Sequence, residues 1–326
     1  MLKKALVTAT LLGLFSTHTL ASDKVRWLND WLPAGDKAVI YLGVESGLFA
    51  AEGIEVEIGS ARGGSDVITK LATNSADIGS AGLAALLQAR AQGEVPVKAV
   101  APIYNKQPDA LFTAEGSGIT SLADIVGKTV ATPTFSASNV VWPLLLERNG
   151  IEPGSVKLLK LDPGALAPML ATGKVQATIN WVTVAPGFSR ALAKNGNKLS
   201  VLPWSEYGFE GYGLSLVASQ RFLESRPEVA KKFVRAYRKA QAQAIADPAA
   251  AAAALKKRVA EVDLQQAEEQ LRASIPLMDN EISASEGNTS FDGKRLAITW
   301  EWVAKAQEIP LDRLDPSSVV DSRFSE

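Results

Sequence analysis

The stretch GGSDVITKLATNSADIGSAG, residues 63–82, decides the fold. Two glycines lead into Ser65, a residue type that caps helices. Asp66 then falls in the first turn, where the helix dipole favours negative charge. The helix is expected to run to about Thr73, and residues 76–79 read as a short strand. The corner Gly79-Ser80-Ala81-Gly82 hands the chain to another helix over 83–91. Helix, strand, glycine corner and helix in direct succession spell an α/β protein.

The same alternation extends in both directions. Upstream, 25–28 reads as a strand and 37–49 as a helix whose apolar stripe holds Ile40, Tyr41, Val44 and Leu48. Residues 53–58 alternate apolar and acidic, as a half-buried strand does. Strands follow at 97–103 and 110–113. A second, similar set starts near Gly118, with strands at 129–132, 156–161, 177–181 and 199–202 and helices at 139–148 and 165–171. From Pro227 the pattern is helical, with Val229, Phe233, Tyr237, Ala240 and Ala244 spaced by three or four. Asp247, Asp263 and Asp292 are placed to cap later helices. The length exceeds one compact core. Two lobes are predicted, 22–113 with 214–326 and 114–213, joined by extended crossings near 110–114 and 212–218.

Composition removes whole classes of chemistry. The chain has no Cys and a single histidine, His18, so thiolate nucleophiles, disulfides and iron–sulfur sites are excluded. The histidine lies in a segment built like a secretory signal. Lys3 and Lys4 precede an apolar run over 5–15, and Thr19-Leu20-Ala21 supplies small residues for cleavage after Ala21. The mature chain would then carry no histidine, no imidazole base and a net charge near −3. That balance argues against nucleic acid and anionic membranes as partners. An exported, soluble, cofactor-free monomer without metal is expected. No phosphate-binding Gly-rich Lys motif, Gly-x-Ser-x-Gly elbow or helical metal motif is present.

Candidate ligand contacts stand at strand ends, where α/β sheets bind their ligands. Trp31 follows the first strand and can stack on a flat ligand; Lys37 is the basic residue of that loop. Gly64 and Ser65, then Ser80, then Ser136 and Ser138 form three corners that expose backbone donors or hydroxyls. Asn180 and Trp181 close a strand in the second set, and Glu210 and Tyr212 border the return crossing. Trp142, flanked by Val140, Val141 and Leu144, reads as core.

Trp31-Leu32-Pro33 followed by Tyr41, then GLFAAEGIEVEI (47–58), GGSDVITKLATNSADIGSAG (63–82) and SLADIVGKTVATP (121–133), resemble a family of periplasmic solute-binding proteins. That family serves ABC importers for thiamine-pyrimidine precursors, alkanesulfonates, taurine and nitrate. The likeness covers about Val25 to Tyr237. It implies a two-lobed Venus-flytrap fold with two interlobe crossings, no catalysis, a periplasmic location, and an ABC permease and its ATPase as partners. In the pyrimidine-precursor branch the first loop carries a tryptophan, a proline and, four residues beyond it, a histidine. Trp31 and Pro33 match, and Lys37 stands at the histidine position. The related fungal pyrimidine synthase needs a cysteine-rich motif and a reactive histidine, which residues 22–326 lack. The leading expectation is a small heterocyclic or aromatic, pyrimidine-like ligand against Trp31 or Trp181. The alternative is a small anion such as an alkanesulfonate, taurine or nitrate, held by Gly64, Ser65, Ser80 and Ser138 with Lys37 adding charge. A pyrimidine-metabolising enzyme is the reading from another class.

Overall fold

The computed structural model describes residues 22–287 and 290–324; the expected signal, 1–21, lies outside them. The strands are β1 (Asp23–Asn29), β2 (Ile54–Ser60), β3 (Ile78–Gly82), β4 (Val97–Pro102), β5 (Asp109–Ala114), β6 (Thr129–Pro133), β7 (Lys157–Leu161), β8 (Ala177–Trp181), β9 (Leu199–Pro203) and β10 (Leu214–Ser219). They form two five-stranded sheets, ordered β2-β1-β3-β10-β4 and β7-β6-β8-β5-β9. In each sheet four strands run in one direction, and one antiparallel strand, β10 or β5, lies second from the edge. The two lobes are therefore built to one plan.

Strand β5 corrects the expected boundary. Residues 110–113 were assigned to the first lobe, yet β5 pairs with β8 and β9 in the second sheet. The outward crossing thus precedes Asp109 and does not occupy 110–114. A short apolar run marks a buried strand but carries nothing that names its partners. The return crossing ends where β10 starts, at Leu214, and β10 joins the first sheet as expected.

The first lobe's core forms where Trp27 of β1 stacks on Phe233 and Tyr237, with ring centroids 5.8 and 5.4 Å apart. Both partners come from the helix Pro227–Ala246, whose three-or-four spacing aims them at the sheet. The alanine-rich helix Pro248–Arg258 buries Ala251, Ala252, Ala254 and Leu255 in the same core. Asp247, Asp263 and Asp292 accept backbone N–H bonds from Ala250, Gln266 and Arg295 at 2.7–3.0 Å and so cap the helices that follow. Ser65 does not cap: its helix starts at Gly64, and Asp66 instead reaches back to accept from Arg62 N at 3.0 Å. Trp142 is buried and stacks on Trp204 at 5.3 Å. Among the described residues no helix is long and apolar enough to cross a membrane.

Candidate functional site: the interlobe cleft

The first lobe's wall starts past the end of β1. Ser80 Oγ, at the β3 corner, donates to Asp30 Oδ1 at 2.7 Å and fixes that carboxylate. The next turn, Gly35–Lys37, is pressed onto the helix Leu264–Met278. Gly35 N donates to Gln270 Oε1 at 2.9 Å, and a Cβ on Gly35 would lie 1.7 Å from the Ala267 carbonyl oxygen. Only glycine fits there, and the contact drives Lys37 inward. Lys37 Nζ lies 2.9 Å from Asp30 Oδ1 and 3.1 Å from Asp36 Oδ2, with only 3% of its side chain exposed. Burial pulls its pKa down, but the Asp30 and Asp36 carboxylates outweigh burial and raise it above the ordinary lysine value. Lys37 is a buried cation ion-paired with two carboxylates.

The second lobe's wall is set by sheet register. Asp109, first in β5, pairs with Trp181, last in β8. The Trp181 indole N–H donates to Asp109 Oδ1 at 3.2 Å, and Ser138 Oγ donates to the same oxygen. Burial pushes the Asp109 carboxyl up to about 6, against the pull of these two donors. Lys37 Nζ sits 5.1 Å from the centroid of the Trp181 ring, and Tyr104 meets that ring edge-on at 6.1 Å. Trp181 is thus gripped from both lobes.

Direct contacts bring the lobes together around a narrow cleft. Thr183 Oγ1 of the second lobe donates to Asp36 Oδ2 of the first at 3.0 Å. Ser65 N donates to the Phe135 carbonyl at 3.2 Å, and the Arg62 guanidinium lies 4.9 Å from the Phe135 ring centroid. The first lobe lines the cleft with Asp30, Trp31, Asp36, Lys37, Gly63 and Gly64. The second supplies Pro133, Ser136, Ala137, Asn180, Trp181, Thr183 and Val184. Two buried acceptors among them, Asp36 Oδ1 and Asn180 Oδ1, have no hydrogen-bond partner. Against one paired lysine the lining carries two carboxylates. No group of three or more His, Cys, Asp or Glu among the described residues could hold a metal.

The cleft brings together six of the residues singled out in the sequence: Trp31, Lys37, Gly64, Ser136, Asn180 and Trp181. Ser80 and Ser138 stand one layer back, holding Asp30 and Asp109 respectively. Ser65 contributes its backbone to the lobe contact and does not line the cleft. Glu210 is solvent-exposed and away from it. Tyr212 lies behind Trp181, with its hydroxyl accepting from Asp292 N at 2.7 Å. Tyr41, placed in the apolar stripe of its helix, is buried, and its hydroxyl accepts from Asn29 at 3.3 Å. Lys37 does not offer free charge to an anion, because Asp30 and Asp36 consume it. Those two acids, with Asp109, Gly63 and Thr183, were not singled out. The only available signal was the Asn29-Asp30 and Asp36-Lys37 clustering in one strand-end loop.

Two sheets of one plan, two crossings and a cleft between them define the two-lobed periplasmic binding-protein fold. Residues 35–251 match the family model described as NMT1/THI5 like, and the chain belongs to that family. It is 26% identical to the riboflavin-binding protein RibY of Chloroflexus aurantiacus, over 85% of this chain and 79% of that one. It is 25% identical to a formylaminopyrimidine-binding protein of Halalkalibacterium halodurans, over 68% and 67%. Yeast 4-amino-5-hydroxymethyl-2-methylpyrimidine phosphate synthases also match, at 24%. In structure it is similar to the alkanesulfonate-binding protein SsuA of Xanthomonas axonopodis pv. citri bound to MOPS. That likeness has a TM-score of 0.70 at 17% identity and covers 93% and 98% of the two chains.

Proposed function

We propose that this protein is the periplasmic solute-binding component of an ABC importer, which closes its lobes over a small flat ring bearing N–H donors. The observation that carries the reading is the neutralisation of Lys37. Among the described residues, the one lysine or arginine lining the cleft is ion-paired with Asp30 and Asp36, which leaves the lining with a net negative balance. A bare sulfonate or nitrate would enter such a site without a free countercharge, and desolvating it would go uncompensated. A heterocycle loses little by comparison. Its faces meet Trp31 and Trp181, and its N–H groups reach acceptors such as Asp36 Oδ1 and Asn180 Oδ1, which otherwise stay buried without partners.

The ligand is bound and handed on unchanged. The described residues contain neither histidine nor cysteine, so the residue types used by the related pyrimidine synthase are missing. Relatives named as binding proteins support the same view. With both lobes closed, the protein presents one joint surface to a permease and its ATPase, which the open form lacks. It acts as a monomer, exported by cleavage after Ala21.

Native mass spectrometry of the protein purified from its own periplasm tests this. An intact flat heterocycle or aromatic compound is expected. An aliphatic sulfonate or nitrate in the cleft, or a ligand converted with turnover, would overturn the reading.

A further inference from the structure

Two C-terminal helices lean on the second lobe, and they hold it by different forces. The first contact is aromatic. Trp302, on the helix Gly293–Ala306, meets Phe209 edge-on with ring centroids 4.9 Å apart. Phe209 meets Trp204 at 5.9 Å, and Trp204 stacks on Trp142 of the second lobe at 5.3 Å. All four rings are buried. Parting them would return a large apolar area to water.

The second contact is polar. The helix Leu264–Met278 faces the second-lobe helix Ala185–Ala193, whose Gly187 lies against the Gln266 and Gln270 side chains. Arg190 of the second lobe reaches across, with Nη1 3.1 Å from Asp263 Oδ1 and Nη2 2.6 Å from Glu269 Oε2. Both acceptors are already held by their own helix. Asp263 Oδ1 accepts from Gln266 N at 2.7 Å, and Glu269 Oε1 accepts from Gln265 at 3.0 Å. Little side-chain freedom is therefore lost when Arg190 arrives. The helix has 15 residues and is about 22 Å long. Its last turn sits at the outward crossing, where the Leu277 carbonyl accepts from Asn105 N at 3.0 Å, and Asp263 caps the opposite end. Arg190 thus bridges the lobes away from the crossing, where a rotation displaces them most.

We propose that Arg190 is an ionic latch of the closed cleft, which releases on this flank while the lobes pivot on the aromatic one. Its strength suits that task. Arg190, Asp263 and Glu269 are all partly open to solvent, so water can replace both bonds at small cost when the lobes part. The inference rests on the cleft being the ligand site and is independent of the ligand's identity.

The chain has no cysteine, so introduced cysteine pairs take spin labels uniquely. Pulsed electron paramagnetic resonance on Lys194→Cys/Glu261→Cys reads the polar flank, and on Glu147→Cys/Lys294→Cys the aromatic one; all four positions are exposed. Each pair is measured in protein as isolated and in protein stripped of small molecules by unfolding, dialysis and refolding. The first pair is expected to lengthen on stripping and the second to hold. Arg190→Gln should raise the open-to-closed ratio of the first pair about three- to fivefold. Arg190→Lys keeps the charge without the fork that spans both carboxylates, and should fall between. Arg148→Gln removes a comparably exposed pair with Glu301 on the aromatic flank and should leave the ratio at its wild-type value. A ratio unchanged by Arg190→Gln in both preparations overturns the latch, as does an equal rise in Arg148→Gln. A second pair that lengthens as much as the first overturns the pivot. Identical wild-type distances in the two preparations, with no bound molecule by native mass spectrometry, count against the cleft reading, while the comparison with Arg190→Gln still decides the latch.

Discussion

The carbonyl oxygen of Phe135 lies 2.2 Å from the position a Cβ on Gly63 would occupy. Gly63 belongs to the first lobe and Phe135 to the second, so a backbone-to-backbone approach that only glycine permits holds the cleft shut. Gly63 also has φ of 143°, a conformation that side-chain-bearing residues rarely adopt. Gly63→Ala should therefore prop the lobes apart. Small-angle scattering with ligand present should show a larger radius of gyration than the wild type, and affinity should fall at least tenfold. The φ strain should cost a further ~1–3 kcal/mol of stability. A compact variant with unchanged affinity would show that the contact does not govern closure.

Lys37 sits between two buried carboxylates, and its removal leaves them facing each other without a cation. Breaking a buried pair by deleting one partner costs about 3–5 kcal/mol. Lys37→Met keeps most of the side chain's volume, so its effect reads the charge. A loss of that size in urea denaturation at pH 7 is expected. A loss below about 1 kcal/mol would mean that the ion cluster contributes little.

Much of the fold was legible because it rests on local signals. The strand-to-helix corners at 63–65 and 79–82, the Asp247, Asp263 and Asp292 caps and the Phe233/Tyr237 stripe are all properties of short windows. What escaped was set by pairing between distant segments. The sheet to which β5 belongs decides both the lobe boundary and the placing of Asp109 opposite Trp181, and neither follows from Asp109–Ala114 alone. Lys37 was read as a free charge for the same reason. Its burial depends on Gly35 meeting Ala267, a contact that spans most of the chain. Glu210 beside a crossing was a guess from position, and solvent takes it.

Asp109 gives stability a pH dependence that can be isolated. Its carboxyl is raised from 3.8 to about 6 in the folded protein, chiefly by burial. Below about pH 4 both folded and unfolded states hold the proton. Between about pH 4 and pH 6 only the folded state does, so stability falls as pH rises through that window and the cost is complete above it. Asp109→Asn keeps an acceptor for Ser138 and Trp181 and removes the titration. The stability of the variant relative to the wild type should rise by on the order of 2–3 kcal/mol from pH 3.5 to pH 7. Urea melts across that range measure it, and a constant difference would place the Asp109 pKa near its unfolded value.

Trp181 is the residue on which the ligand reading turns, because it faces the cleft and Lys37 at once. Replacing it with alanine removes a stacking surface, which for ring ligands is worth about 1–3 kcal/mol, or roughly 5- to 150-fold in affinity. A neutral ring bound beside an already paired lysine has no net charge to screen. Its affinity should hold within about twofold between 0.05 and 0.5 M salt, whereas capture of an anion by a free lysine would weaken steeply over that range. Isothermal titration of wild type and Trp181→Ala at both salt concentrations, with the ligand recovered from the native protein, separates the cases. Strong salt dependence together with indifference to Trp181→Ala would return the site to an anion binder.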